Sequence, residues 1–226
     1  MRLKGPLVRA SLLRRAGRFS LIARADGREV EAYLPNPGRL EEILVPGRVL
    51  MLLPVSGRRR TAWDAVAALV GGTLVGIDSR VPNLLIREAL LDGTIPEFQG
   101  YRLVKAEPQV YSSRLDFLLD PPCVLEVKGS SLVRDGVALF PDAPTVRGRR
   151  HLEELARARR SGMRAAIIFV VQREDARSLS PNWEVDPGFG EGLRAAVQGG
   201  VEAMAFVSGW SRDEILLRRG LEVSLA

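Results

Sequence analysis

Between Ser113 and Ser131 the sequence reads SRLDFLLDPPCVLEVKGSS, and it sets Asp116, Glu126 and Lys128 into otherwise apolar runs. Arg114–Leu119 and Cys123–Val127 have the length and composition of strands, and Asp120-Pro121-Pro122 is the turn between them. A three-residue loop makes cross-strand partners sum to 242, so Leu119 meets Cys123 and Asp116 meets Glu126. Directly opposed residues have Cβ atoms about 5 Å apart, where like charges repel. The strand period of two puts Lys128 on the face of Glu126 and turns Val127 to the other. Two acids and one ammonium therefore converge, and something must offset the repulsion.

The rest of the chain narrows what that something is. With one Cys and one His in 226 residues, neither an intramolecular disulfide nor a usual zinc site can form. A reducing, cytoplasmic location follows from the cysteine usage. No Gly-x-Ser-x-Gly elbow, phosphate-binding loop or dinucleotide fingerprint is present, so no small-molecule cofactor is expected. The longest apolar run, Ala165–Val171, is a buried strand rather than a membrane span. What remains is carboxylate chemistry. Carboxylate oxygens suit a hard cation, Mg²⁺ (or Mn²⁺), which one or two acids hold while it keeps several waters.

Charge points to the partner. Residues 1–60 carry 13 Lys+Arg against 5 Asp+Glu, a net +8, whereas residues 61–226 carry 20 against 22, a net −2. The N-terminal part is thus the electrostatic footprint for a polyanion, although the same charges also suit a solvated surface. Only three of the 33 basic residues are lysines, so Lys at 128 reads as a need for a compact ammonium.

Residues 1–80 show five or so short alternating strands with glycine turns, the pattern of a small basic barrel of the OB type. Within it, Pro35-Asn36-Pro37-Gly38-Arg39 is a turn before a short helix around 39–44, or a phosphate contact through Arg39. The tip Arg58-Arg59-Arg60 is a solvated turn or a phosphate hook. Residues 81–226 alternate helix and strand, the mark of a mixed sheet with helices packed on it. Pro82–Leu91 predicts a helix whose Leu84, Leu85, Glu88 and Leu91 share a face, so Glu88 is either an edge residue of a short helix or a third catalytic and metal-binding carboxylate that completes the acidic site. A second helix, starting at Asp142–Thr145 and ending near Ser161, carries Arg147, Arg149, Arg150 and His151, which either lie along a nucleic acid or make a solvated basic face. The segment Ser180–Pro187 reads as a long loop of no evident role.

Helix acid, Asp116, then Glu126-Val127-Lys128 on a hairpin, then a helix, is the order found in the PD-(D/E)xK nuclease superfamily. In that reading Asp116 and Glu126 hold the cation and Lys128 stabilises charge on the reacting phosphate. The chain also resembles the sugar fermentation stimulation protein A family. The matching segments are Pro35–Arg39, Ser113–Leu119, Glu126–Leu132, and Phe140–Thr145 leading to Arg147-Gly148 and His151-Leu152, with Glu88–Leu90 and Gly200–Glu202 in addition. The resemblance implies a two-domain α+β protein: an OB-like N-terminal barrel, residues 1–80, followed by an α/β PD-(D/E)xK nuclease-like domain with a mixed sheet, residues 81–226. It further implies binding to DNA, single- or double-stranded, and a link to the regulation of sugar-utilisation genes. Many members carry an acid where this chain has Val146, so no catalytic acid is expected there. Three function classes follow: a metal-dependent nuclease, a non-catalytic DNA-binding regulator on a relic nuclease fold, and an RNA-binding or structural module. A homodimer is left open, and no membrane partner is expected.

Overall fold

The computed structural model describes residues 1–57 and 59–226, so the expected contact at Arg58 lies outside the described residues. The first domain is a barrel of β1 (Val8–Gly17), β2 (Ser20–Ala25), β3 (Arg28–Tyr33), β4 (Val49–Pro54) and β5 (Trp63–Val70), extended by β6 (Thr73–Gly76). The strand order β3-β2-β1-β4-β5 closes through a parallel pairing of β3 with β5. Alternation explains the closure: Leu12, Leu21, Ala23, Ala32, Leu50 and Leu52 turn inward and are fully buried. The short helix expected around 39–44 is a turn. Leu40 adopts a positive φ of 52°, which breaks a helix at its start.

The second domain begins with α1 (Val81–Leu91), then β7 (Arg102–Ala106), β8 (Gln109–Val110), β9 (Ser113–Arg114), β10 (Phe117–Asp120) and β11 (Cys123–Ser130). It continues through β12 (Val133–Arg134), β13 (Val137–Phe140), α2 (Val146–Arg160), β14 (Arg164–Val171), β15 (Ser178–Pro181), α3 (Pro187–Gln198), β16 (Glu202–Ser211) and β17 (Glu214–Val223). Nine of these strands form one mixed sheet in the order β12-β13-β15-β17-β16-β14-β11-β10-β7. The apolar run 165–171 is its centre, paired in parallel to β11 on one side and β16 on the other. Period two divides that run between two cores. Ala166, Ile168 and Val170 pack towards α1, while Ile167, Phe169 and Val171 pack towards α2 and α3. Among the described residues, no helix is long and apolar enough to cross a membrane.

The chain's first residues belong spatially to the second sheet rather than to the barrel. Leu3 N–H donates to the Asp213 carbonyl at 2.7 Å, and Ile215 N–H donates to that of Met1 at 2.9 Å. The junction proper is held by charge. Arg80 at the mouth of α1 donates to Asp78 at 2.7 Å and to Asp64 of β5 at 2.7 Å, and both carboxylates are almost wholly buried.

Removing that guanidinium leaves the buried Asp78 without its ion-pair partner and bares one oxygen of the buried Asp64, whose other oxygen stays paired with Arg59. A fully buried pair broken on one side loses about 3–5 kcal/mol. Because Arg80 is half exposed, Arg80→Ala is expected to destabilise the protein by about 2 kcal/mol, a fall in Tm of roughly 5 °C. Arg80→Lys, which lacks the planar fork, should recover less than half of the loss. Thermal unfolding followed by circular dichroism checks both, and an unchanged Tm for Arg80→Ala would remove the junction from the stability argument.

Candidate active site

The β10–β11 hairpin has the register that its turn dictates: Leu119 pairs with Cys123, Leu118 with Val124 and Phe117 with Leu125. Continued by one residue, this sets Asp116 opposite Glu126. The ladder stops there, because Asp116 stands at a bend just outside β10, where its N–H still donates to the Leu125 carbonyl at 3.0 Å. On β11, Cys123, Leu125 and Val127 enter the core beneath α1, while Glu126 and Lys128 take the opposite face under α2.

Glu126 is buried, and two donors converge on its Oε1: Lys128 Nζ at 2.5 Å and His151 Nδ1 at 2.5 Å. Arg147 Nε donates to His151 Nε2 at 3.3 Å, one helical turn before it. That contact makes Nε2 the acceptor, so the ring proton resides on Nδ1 and is given to Glu126. Burial pushes the Glu126 carboxyl up, but the His151 hydrogen bond and the Lys128 charge outweigh it and hold the group below the usual carboxylate range. It is ionised, yet its Oε2 is buried with no hydrogen-bond partner among the described residues. A bare anionic oxygen in the interior is costly, and it is an open position for a cation.

Asp116 is the complementary case. Its Oδ2 accepts from Val127 N–H at 2.7 Å and its Oδ1 from Asn83 Nδ2 at 2.6 Å. Burial, followed by the charge of Glu126, raises its pKa to about 6. Two carboxylates, one carrying an unpaired oxygen and the other on the edge of protonation, form a donor set that fits a hard divalent cation retaining its own waters. Among the described residues no group of three or more His, Cys, Asp or Glu converges as a closed cage.

Two of the expected site residues lie elsewhere. Glu88 does not reach the acids. The buried stripe of α1 is Pro82, Leu85, Ile86 and Ala89, with Leu84 and Leu91 exposed, so Glu88 faces out and pairs with the Met1 amine at 2.5 Å. The small Ala89 hid the true stripe, and the helix instead offers Asn83. His151 is likewise not on the exposed basic face. It is buried and belongs with Glu126. The spacing Gly148, His151, Leu152, Leu155, Ala158 in α2 is a core-facing stripe and was the available signal.

The arginines divide. Arg39, Arg147 and Arg150 are exposed, as are Arg59 and Arg60, but Arg59 is paired with Asp64 at 2.8 Å and Arg60 with Glu31. Arg149 lies 4.0 Å from Asp186. The segment read as an idle loop has a structural role. Asp186 Oδ2 accepts from Thr145 N–H at 2.7 Å, and the Thr145 side chain caps α2 by accepting from Gly148 N–H at 3.0 Å. The lone Cys123 is buried, and its thiol pKa is pushed up to about 12 by burial, which leaves it inert.

Residues 80–214 match the family model described as the sugar fermentation stimulation protein RE domain, and residues 13–77 match the SfsA N-terminal OB domain. The sugar fermentation stimulation protein homolog of Moorella thermoacetica is 48% identical over 206 residues, covering 88% of this chain and 89% of the relative. That of Geobacter sp. is 44% identical over 233 residues and covers both chains completely. Among solved structures, SfsA of Pyrococcus furiosus in complex with Ca²⁺ superposes with a TM-score of 0.92 at 32% identity, covering 99% of this chain and 98% of that one.

Asp116 holds its proton more tightly folded, with a pKa of about 6, than unfolded, near 3.8. The stability this contributes is complete below about pH 4 and is lost as pH rises through 6, about 3 kcal/mol in all. Asp116→Asn cannot titrate. Between pH 4 and 7.5 its unfolding free energy, measured by urea titration without divalent ions, should therefore gain about 3 kcal/mol on that of the natural chain. A gap that stays constant with pH would show that Asp116 is not perturbed.

Proposed function

The chain belongs to the sugar fermentation stimulation protein family, and on that premise we propose that it is a DNA-binding protein whose second domain hydrolyses phosphodiesters with the help of a divalent cation, Mg²⁺ or Mn²⁺. The observation that carries this reading is the ionised, buried Glu126 with one oxygen clamped by Lys128 and His151 and the other left bare. The Pyrococcus furiosus relative is in complex with Ca²⁺, which supports a hard divalent ion as a ligand of this family member.

Asp116 and Glu126 would hold the cation, which supplies positive charge against the phosphoryl oxygens and activates water for attack. Lys128, poised beside Glu126, stabilises the charge that grows on the phosphate. His151 fixes which Glu126 oxygen is presented, and Arg147 fixes the tautomer of His151. Arg147 and Arg150 of α2, together with Arg39 of the barrel, provide positions for neighbouring phosphates. Arg59 and Arg60 are already paired with acids, and Arg39 and Arg149 each lie 4.0 Å from one, Glu41 and Asp186, so these four would have to exchange partners to bind phosphate. One observation favours the second reading, a non-catalytic DNA-binding regulator of sugar metabolism: the helix acid expected at the site is turned away, and Asn83 stands beside Asp116 instead.

Labelled single-stranded, duplex and branched DNA incubated with Mg²⁺ or Mn²⁺ separates the two. On the nuclease reading the natural chain cuts, and Glu126→Gln and Lys128→Met each cut at least about 100-fold more slowly while retaining DNA affinity. Arg150→Ala should lower the slope of log K against log salt by about one. Absence of cleavage on all three substrates, with salt-dependent binding intact, leaves the regulator.

A further inference from the structure

Asp116 is held from two sides. Val127 N–H donates to its Oδ2 at 2.7 Å, and Asn83 Nδ2 of α1 donates to its Oδ1 at 2.6 Å. Both oxygens are thereby fixed, and each keeps a lone pair for a further ligand. Asn83 reaches the strand because the first turn of α1 is pressed onto β11. A Cβ on Gly129 would stand 2.8 Å from Pro82 Cγ, so the residue after Lys128 makes room for the residue before Asn83. The start of α1 is fitted to the site, although the helix sends it no acid.

The charges that meet there are few. Asp116 and Glu126 bring two carboxylates, Lys128 one ammonium, and His151 a neutral ring whose proton lies on Nδ1. Asn83 adds none. Ligation of a metal requires both acids ionised, which leaves one net negative charge. A single divalent ion turns this into one net positive charge, and the one negative charge of a phosphodiester balances it. A second ion would leave three positive charges. The ions of a two-metal site stand about 4 Å apart, where they repel strongly unless acids lie between them. No further acid is at hand. Glu88 is turned to the Met1 amine, and among the described residues no three of His, Cys, Asp and Glu converge as a metal-binding group. The helix position that does reach Asp116 carries an amide.

We propose that the site takes a single divalent cation and that Asn83 is the positioning residue responsible. Its amide fixes the Asp116 carboxylate for that ion and, being uncharged, withholds the third carboxylate that a second ion would need. This rests on the divalent-cation reading of Asp116 and Glu126 and deepens it.

Isothermal titration of the full chain with Ca²⁺ at neutral pH, less the signal of Glu126→Gln to remove surface ions, should count one ion per chain. Saturating Mn²⁺ should give the electron paramagnetic resonance spectrum of an isolated ion. Asn83→Ala should still take one ion but about tenfold more weakly, as expected when the partner of a ligating side chain is lost. Asn83→Asp puts a third carboxylate beside Asp116 and should take two ions, with the exchange-coupled Mn²⁺ spectrum of a pair. A merely structural contact would move neither the ion count nor that spectrum. Two ions on the natural chain overturn the single-ion assignment and spare the divalent-cation reading. Unchanged affinity in Asn83→Ala overturns the positioning role, and one ion on a folded Asn83→Asp overturns the charge argument. Should Asn83→Asp fail to fold, the natural count and Asn83→Ala still decide. A natural chain that binds neither Ca²⁺ nor Mn²⁺ more than Glu126→Gln does overturns this inference and the divalent-cation reading together.

Discussion

Everything in the second domain is arranged around keeping one carboxylate ionised where water does not reach. An isolated buried charge would simply take up a proton. Glu126 does not, because Lys128 comes from its own strand face and His151 from the helix that covers that face. Each donor depends on a further layer. Lys128 is placed by β11, which is held on both sides by β10 and β14. His151 is placed by α2, whose first turn is capped by Thr145 and tied down by Asp186. The site is thus held by a hydrogen-bonded scaffold, and at its centre the Oε2 of Glu126 has no partner among the described residues.

Both arrangements, a pair of acids and a clamped glutamate, draw on the same alternation. In β11 the odd positions Cys123, Leu125 and Val127 build the core under α1, while the even positions Glu126, Lys128 and Ser130 build the site. One strand supplies core and chemistry at once, so a slip of a single residue would bury the lysine in the α1 core and expose the apolar set. The tight Asp120-Pro121-Pro122 turn is what fixes the register. This is the reason the turn and the acids occur together in the sequence.

The parts of the molecule that local rules govern were legible from residues alone. The hairpin register follows from loop length, the central strand from an uninterrupted apolar run, and the closed barrel from alternation broken by glycines. The missing parts depend on what is packed against what. In α1 the bulk of Leu84 and Leu91 suggests a different stripe from the buried one, because a short helix pressed close to a sheet favours the small Ala89. Asn83 carries no sequence signal as a partner of Asp116, since that contact spans 33 positions and closes only when α1 lies across β11. His151 falls on the buried stripe of α2, although arginines surround it in sequence. Arg147 and Arg150 are exposed, and His151 is buried.

The same distinction explains why the most characteristic turns of the chain lie outside the acids and lysine. An acid, an acid and a lysine at hairpin spacing can arise on many surfaces. A glycine at 38 lets the Asp142 carboxylate, more than a hundred residues away, approach within 2.7 Å of where a Cβ would stand. Such residues record the fit of one domain to the other.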